Sequence, residues 1–240
     1  AGSTGPTTVT FDPTDDSKFE TSTAESAIIA IASVSGGDAA ESGTQSKTIF
    51  IAENDSAPTV TLTSDSGTLD ENSNDVITIT ATLSNKTYEA VTVALTPTGT
   101  ADEGTDYPVI SDITIAEDAT TGTASFSTTD DCFLEGDTDE TAVVAITDVS
   151  GGDATESGNQ SLALAIDDDE GNPKVTLTSS AASITEGAGS ITLTASIGSC
   201  TYEQNIVVSL GVAGTGTEGT DYNDIPSTIT IVAGNTGVTQ

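Results

Sequence analysis

The sequence contains no histidine, arginine, methionine or tryptophan, and only four lysines and two cysteines among its 240 residues. Without histidine it has no default general base near neutral pH and no Ser-His-Asp triad. Two cysteines without histidine cannot form a four-ligand zinc site. There is no P-loop, and "GTGTEGT" lacks the spacing and the following helix of a dinucleotide-binding fingerprint. We therefore predict that the protein is not an enzyme.

Positive charge is also scarce. Asp and Glu total 38, which gives a net charge of −34. A basic surface for nucleic acid or for anionic membranes is therefore excluded. No stretch approaches the ~20 apolar residues of a membrane span, so membrane insertion is not expected. The composition favours cations as partners.

The sequence repeats with a period of about 115 residues. "FDPTDDSKFE" from Phe11 recurs as "FSTTDDCFLE" from Phe126, and "VTLTSDSGTLDE" from Val60 recurs as "VTLTSSAASITE" from Val175. "TADEGTDY" likewise recurs as "TGTEGTDY". We predict a complete unit over 56–172, the second half of a unit over 1–55, and the first half of another over 173–240.

Short Val/Ile/Thr-rich runs alternate with Gly/Asp/Asn/Ser turns in the complete unit. This pattern is typical of an all-β antiparallel sandwich. The predicted strands are A at 59–64 with a continuation at 68–70, B at 75–83, C at 90–97, D at 110–115, E at 122–128, F at 141–148 and G at 160–166.

Strand direction predicts where the acidic residues collect. If each strand reverses the previous one, strands A, C, E and G finish at the same end of the sandwich. The acids that follow these four strands are Glu71, Asp106, Asp130, Asp131, Glu135, Asp167, Asp168 and Asp169. Many oxygen ligands without nitrogen or sulfur favour Ca²⁺ over Mg²⁺, which retains more of its waters. The alternative is a solvated acidic surface, which suits isolated acids such as Asp65.

The order "TLDE", "TADEGTDY", "DD…E" and "IDDDE" resembles the Calx-β domain, a calcium-binding Ig-like sandwich. The resemblance implies a cluster of Ca²⁺ ions held by the acids above. In the split repeat it implies the ligands Glu186, Asp221, Asp15, Asp16, Glu20, Glu53 and Asp55. Ala52 replaces the first terminal aspartate there, so the second site is expected to be weaker. Tyr107 and Tyr222 are interpreted as packing residues.

The two cysteines are also placed by strand direction. Cys132 follows strand E of the complete unit, and Cys200 lies between strands B and C of the next unit. Both therefore face one junction, and we predict a Cys132–Cys200 disulfide between the units. The alternative is two free thiols that act as small apolar residues. Alignment of the repeats places Ser17 and Lys86 at the equivalent positions.

Each half-unit leaves an unfinished core and unpaired strand edges. We predict that 173–240 is completed by 1–55 of the next subunit, which gives a head-to-tail homopolymer. The alternative is a window cut from a longer covalent array.

The leading functional prediction is an extracellular or cell-surface structural protein that forms a Ca²⁺-stabilised fibre, with other surface or matrix components as further partners. The alternatives are the stalk of a Ca²⁺-dependent adhesin, a regulatory Ca²⁺ sensor and a ligand-binding adhesin tip.

Overall fold

The chain is built from β-strands joined by turns and loops. The structure, a computed structural model, describes residues 5–20, 24–134 and 139–239, and no α-helix occurs in these ranges. Val, Ile and Thr favour the extended backbone, while Gly, Asn, Asp and Ser supply the turns. Within the same ranges no helix has the length and apolar character needed to cross a membrane. The predicted all-β fold is confirmed.

The N-terminal segment contains a two-residue strand and a hairpin, namely β1 (Lys18–Phe19), β2 (Glu25–Ala30) and β3 (Ser46–Ile51). Strands β2 and β3 pair antiparallel, with Glu25 opposite Ile51. Their connection contains Gly36, Gly37 and Asp38 with φ of 87°, 60° and 51°. Gly has no Cβ, and Asp tolerates the left-handed region better than most residues.

The middle segment supplies eleven strands: β4 (Thr59–Ser64), β5 (Thr68–Asp70), β6 (Ile77–Leu83), β7 (Lys86–Thr87), β8 (Val91–Gly99), β9 (Ile113–Ile115), β10 (Thr121–Phe126), β11 (Phe133–Leu134), β12 (Glu140–Ser150), β13 (Thr155–Glu156) and β14 (Ser161–Asp167). The seven predicted strands A to G, with the continuation of A, correspond to β4 with β5, β6, β8, β9, β10, β12 and β14. The boundaries differ by up to three residues.

Two sheets of the middle segment enclose its core. One has the order β10-β6-β4-β13, and the other has the order β5-β14-β12-β8-β9. In β6 every second residue is buried, from Ile77 to Leu83. This period of two places one face of each strand against the opposite sheet. Strand β5 pairs parallel with β14, which brings the ends of these two strands together.

The C-terminal segment contains six strands: β15 (Thr176–Ser179), β16 (Leu193–Ser196), β17 (Thr201–Tyr202), β18 (Ile206–Ser209), β19 (Thr228–Ile231) and β20 (Gly237–Thr239). Strands β15, β16 and β20 form one sheet, and β18 pairs with β19. These pairings repeat those of β4, β6 and β10 and of β8 with β9. The small core between them includes Ala195, Ile197, Ile229 and Ile231.

Two short parallel strand pairs connect successive segments. In the first joint β1 pairs with β7, and the Tyr88 N–H donates to the Phe19 carbonyl oxygen at 3.1 Å. In the second joint β11 pairs with β17, and the Glu203 N–H donates to the Leu134 carbonyl oxygen at 3.2 Å. Phe19 and Leu134 are both buried. Each joint is therefore a two-stranded parallel sheet that pairs a short strand of one unit with a short strand of the next.

Different bonds reinforce the two joints. In the first, the Lys18 Nζ lies 3.3 Å from Glu117 Oε1 and 3.0 Å from Asp118 Oδ1. In the second, Cys132 and Cys200 form a disulfide, with a Cα–Cα distance of 4.7 Å. The disulfide lies beside the paired strands, because the Thr201 N–H donates to the Cys132 carbonyl oxygen at 3.0 Å.

The backbone pairing of the two joints differs by one residue from the repeat alignment. In the first joint Lys86 pairs with Lys18. In the second joint Thr201 pairs with Phe133, which is the repeat equivalent of Lys18. Cys200 therefore corresponds to Asn85 in the backbone pairing, and not to Lys86. The two repeats align without a gap over this turn, so the one-residue shift lies in the backbone pairing and not in the sequence.

Candidate metal centre

Four loops of the middle segment meet at one end of its sandwich. The Glu71 N–H donates to the Asp167 carbonyl oxygen at 2.9 Å, which joins the ends of β5 and β14. The Thr128 hydroxyl, after β10, donates to the Glu71 carbonyl oxygen at 2.8 Å. The Thr129 N–H donates to the Asp106 carbonyl oxygen at 2.8 Å. The loops after strands A, C, E and G are thus held together by two backbone hydrogen bonds and one from a threonine hydroxyl.

The carboxylates of these loops converge at the same place. Oxygens of Glu71, Asp169 and Glu170 lie within 4.8 Å of one another. Glu71, Asp106 and Asp168 also line a small cleft, together with Glu140. Asp130 and Asp131 directly precede the disulfide, and Glu135 lies outside the described residues.

Two carboxylate oxygens at this end are buried without a hydrogen-bond partner among the described residues. They are Asp131 Oδ1 and Glu170 Oε2. An unpaired buried carboxylate is costly unless a cation or a proton compensates for it. Glu71 is buried as well. This end of the sandwich therefore has the oxygen-only donors and the unmet charge that a hard divalent cation satisfies.

Burial and mutual repulsion shift the acidity of the cluster. Burial raises the pKa of Glu170 from its ordinary value near 4.5 to about 7, and the neighbouring Asp168 and Asp169 add to the shift. The pKa of Asp167 is also raised, first by burial and then by Asp139 and Asp70. Both shifts mean that the ionised carboxylates are disfavoured until positive charge is added.

The N-terminal segment holds a second acidic cluster, around a cavity of about 300 Å³. The Glu20 N–H donates to Glu53 Oε2 at 2.8 Å, and the Asn54 side chain donates to Asp15 Oδ1 at 2.8 Å. Repulsion from Glu25, followed by burial, raises the pKa of Glu20. The predicted residues that line this cavity are Asp15, Asp16, Glu20, Glu53 and Asp55.

The remaining predicted ligands lie in the C-terminal segment. Glu186 is exposed there, whereas its equivalent Glu71 is buried. Asp221 Oδ2 accepts a hydrogen bond from the Thr217 N–H at 2.7 Å. Among the described residues, neither Glu186 nor Asp221 lines the cavity of the N-terminal cluster. The single chain therefore brings the described loops of one acidic end together, and it holds the predicted ligands of the other end in two separate segments.

Sequence reasoning missed three polar residues of the complete cluster. Glu170 was not selected, although its repeat equivalent Asp55 was. Glu140 lies in the cleft, and the Asn72 amide donates to Asp169 Oδ2 at 2.5 Å. The matching positions of Asp55 and Glu170 could have identified Glu170. Glu140 had no comparable signal, because it is the first residue of β12.

The described donors fit a calcium ion. The donors that the structure brings together would be the carboxylates of Glu71, Asp106, Asp168, Asp169 and Glu170, with the buried oxygen of Asp131. Asp130 lies in the same loop as Asp131, and the Asp167 carboxylate interacts with Asp139 and Asp70. A bound cation would offset the negative charge of the two buried oxygens that have no hydrogen-bond partner among the described residues.

Two consecutive regions, 53–169 and 167–239, match the model of the Calx-beta domain family and overlap at 167–169. A search of curated protein sequences gives no match.

Three solved structures are similar to the chain. The apo form of the Calx CBD1 domain has 17% identity and a TM-score of 0.38, and the match covers 47% of this chain and 99% of that one. CBD12 from CALX1.2 has 19% identity and a TM-score of 0.39, with 73% of each chain covered. A two-domain protein of unknown function from Bacteroides fragilis has 9% identity and a TM-score of 0.36, with 76% of this chain and 87% of that one covered. Because the two family-model matches span more than half of its residues, the chain belongs to the Calx-beta domain family of calcium-binding β-sandwich modules.

Proposed function

We propose that the protein is an extracellular or cell-surface structural protein. In this proposal its half-units complete one another between copies, and Ca²⁺ stabilises the resulting head-to-tail filament. The observation that carries the proposal is a difference in burial between equivalent repeat positions. Several large apolar residues whose equivalents are buried in the complete unit are exposed in the two partial units.

The N-terminal hairpin shows this difference most clearly. Val144 on β12 is fully buried, whereas its repeat equivalent Ile29 on β2 is 49% exposed. In the complete unit β12 pairs on one side with β14 and on the other with β8. In the N-terminal segment β2 pairs with β3, the equivalent of β14, and the described pairings give it no counterpart of β8.

The C-terminal segment presents the complementary surface. Its strand β18 is the equivalent of β8, and its described pairing is with β19 alone. Leu69 is 7% exposed in the complete unit, but its equivalent Ile184 is 49% exposed. Leu177 and Val212 are exposed as well. Large apolar side chains that are exposed in place of buried equivalents favour an interaction surface here.

The strand pairing of the complete unit indicates how the two surfaces would fit each other. Insertion of β2 beside β18 would restore the β8–β12 pairing, and β3 would then lie beside residues 183–185. The predicted ligands of the split repeat would come together in the same step, because β3 leads into Glu53 and residue 185 precedes Glu186. Calcium would then offset the repulsion between two highly acidic chains. A disulfide is compatible with an extracellular, oxidising setting.

Assembly state with and without calcium tests the proposal. The 240-residue chain at tens of micromolar should form filaments in millimolar Ca²⁺, visible by negative-stain microscopy, and should return to monomers in excess EDTA. A monodisperse monomer in light scattering with Ca²⁺ present would contradict the proposal. Unchanged filaments in EDTA would contradict the role of calcium.

A matched pair of variants separates strand insertion from other association. Ile29→Asp places a charge on the face that β12 buries, and should abolish assembly. Ile28→Asp adds the same charge on the outward face, at the position of half-buried Val143, and should leave assembly intact. Equal behaviour of the two variants would exclude the proposed pairing.

A further inference from the structure

An aromatic pair closes the metal-bearing end of the complete core. Tyr107 and Phe126 are almost fully buried, and their ring centroids lie 5.2 Å apart at an interplanar angle of 42°. Such tilted pairs contribute stability beyond the area they bury. Tyr107 belongs to the loop after β8, and Phe126 is the last residue of β10.

The equivalent loop of the C-terminal segment has the same internal hydrogen bonds. The Gly104 N–H donates to the Tyr107 carbonyl oxygen at 2.7 Å, and the Gly219 N–H donates to the Tyr222 carbonyl oxygen at 2.8 Å. Glu103 Oε1 accepts from the Ile110 N–H at 3.1 Å, as Glu218 Oε1 accepts from the Ile225 N–H at 3.2 Å. The loop that carries Tyr222 is therefore already in the conformation that presents Tyr107 to Phe126.

The residue equivalent to Phe126 lies in the N-terminal segment. Phe11 is 42% exposed, compared with 1% for Phe126. Two residues earlier, exposed Val9 corresponds to buried Ala124, so the inward face of strand E is repeated in "VTF". Tyr222 is only half-buried, whereas Tyr107 is buried. One partial unit thus has the tyrosine and the other has the phenylalanine.

We propose that Phe11 of a second copy of this chain packs against Tyr222 and is the principal anchor of the contact between copies. This inference rests on the proposed function and identifies the residues that decide whether the copies associate. Aromatic residues in pockets commonly dominate binding energies at protein interfaces.

A backbone hydrogen bond should accompany the aromatic contact. In the complete unit the Thr129 N–H donates to the Asp106 carbonyl oxygen. The equivalent groups are the Thr14 N–H of one copy and the Asp221 carbonyl oxygen of the other.

One bond of the complete unit cannot be repeated. The Thr128 hydroxyl donates to the carbonyl oxygens of Asp70 and Glu71 at 3.0 and 2.8 Å, but its equivalent is Pro13, which has no donor. The contact between copies consequently depends more on Phe11 than the complete unit depends on Phe126.

Two single variants and their mixture test the inference. Phe11→Ala and Tyr222→Ala should each raise the concentration needed for filament formation in Ca²⁺ by at least about tenfold. An equimolar mixture of the two has one intact pair, between Phe11 of the Tyr222→Ala chain and Tyr222 of the Phe11→Ala chain. The mixture should therefore form dimers that do not elongate, measured by analytical ultracentrifugation.

The controls distinguish this inference from the proposed function. Val109→Ala removes an apolar side chain that is 73% exposed in the complete unit and belongs to neither partial unit, and it should assemble like wild type. Tyr222→Phe keeps the ring and should also assemble. If wild type forms filaments and Phe11→Ala does so at the same concentration, or if the mixture gives no dimers, the inference is wrong while the proposed function stands. A wild-type chain that remains monomeric in Ca²⁺ overturns both.

Discussion

The complete unit and the two partial units contain the same sequence repeat, but equivalent residues differ in how far they are buried. Residues 59–167 close two sheets around a continuous core, and the same repeat positions in the hairpin β2–β3 and around β18 remain open. The strands and turns form in both settings, including the turn at 36–38 that repeats the one at 151–153. Local sequence therefore suffices for the strands, but burial requires strands that are distant in sequence.

The largest expected effect comes from the aromatic pair. Phe126→Ala should lower the free energy of unfolding of the complete unit by about 3–5 kcal/mol, because it empties a packed core position. Phe11→Ala should leave that free energy unchanged, since Phe11 lies outside the complete core. Urea denaturation monitored by circular dichroism of monomeric protein in EDTA measures both. Similar losses for the two variants would show that the partial units are already packed in the monomer.

The two joints offer the next comparison. The double variant Cys132→Ser/Cys200→Ser should lower the free energy of unfolding by about 2–4 kcal/mol, because the bond closes a loop with a sequence separation of 68. Lys18→Met should have a smaller effect, since its partners Glu117 and Asp118 are largely exposed and exposed ion pairs contribute little. Thermal melts of both variants rank the two losses of stability. A larger loss for Lys18→Met would show that the ion pairs stabilise the chain more than the disulfide does.

The joint register can be tested with new cysteines. Ser17→Cys with Asn85→Cys should form a second disulfide, detected by peptide mass spectrometry. Ser17→Cys with Lys86→Cys should do so less efficiently. The opposite result would favour the repeat alignment over the observed pairing.

Glutamates at equivalent positions test the metal centre. Glu71→Gln should weaken Ca²⁺ binding to the monomeric chain by roughly an order of magnitude, because it removes a charged oxygen from the assembled cluster. Glu186→Gln should leave the affinity of the monomer unchanged, because Glu186 is exposed and apart from the other acids. Isothermal titration calorimetry under conditions that prevent assembly measures both affinities. A loss in Glu186→Gln alone would place the monomer site in the C-terminal segment.

The smallest expected effect is a pH dependence of the calcium-free chain. The pKa of Glu170 is about 7 in the folded chain and near 4.5 in the unfolded chain. Between these pH values Glu170 is therefore protonated in the folded chain and ionised in the unfolded chain. Stability should therefore decrease as pH rises from about 5 to 7, and most of the loss should be complete above pH 7. Glu170→Gln should flatten the dependence of Tm on pH. A calcium-free Tm that rises over this interval would contradict the assignment.

Much of the fold followed from local signals in the sequence. The alternation of β6 and the turn residues between runs located the strands to within about three residues. Strand direction placed Glu71, Asp106, Asp131 and Asp167 at one end because it depends only on the number of reversals. Cys132 and Cys200 were paired by the same counting.

The remaining features depend on geometry that residue patterns do not encode. Strands β1 and β7 have two residues each, too few for a periodic signal. The backbone pairing of the second joint is shifted by one residue although "KTYE" and "CTYE" align without a gap. The sequence did not identify Glu140 because its proximity to Glu71 arises from the packing of β12 beside β14.

The disulfide also changes how tension would pass through the chain. A pull on the two ends of the molecule can cross from Cys132 to Cys200 through a single covalent bond, so β12, β14, β15 and β16 lie outside the path that carries the force. At the first joint no covalent shortcut links the Ser17 and Asn85 positions, and force must run through the backbone of β2 to β6. Under load the first joint can lengthen by unravelling these strands, whereas the second behaves as an inextensible link.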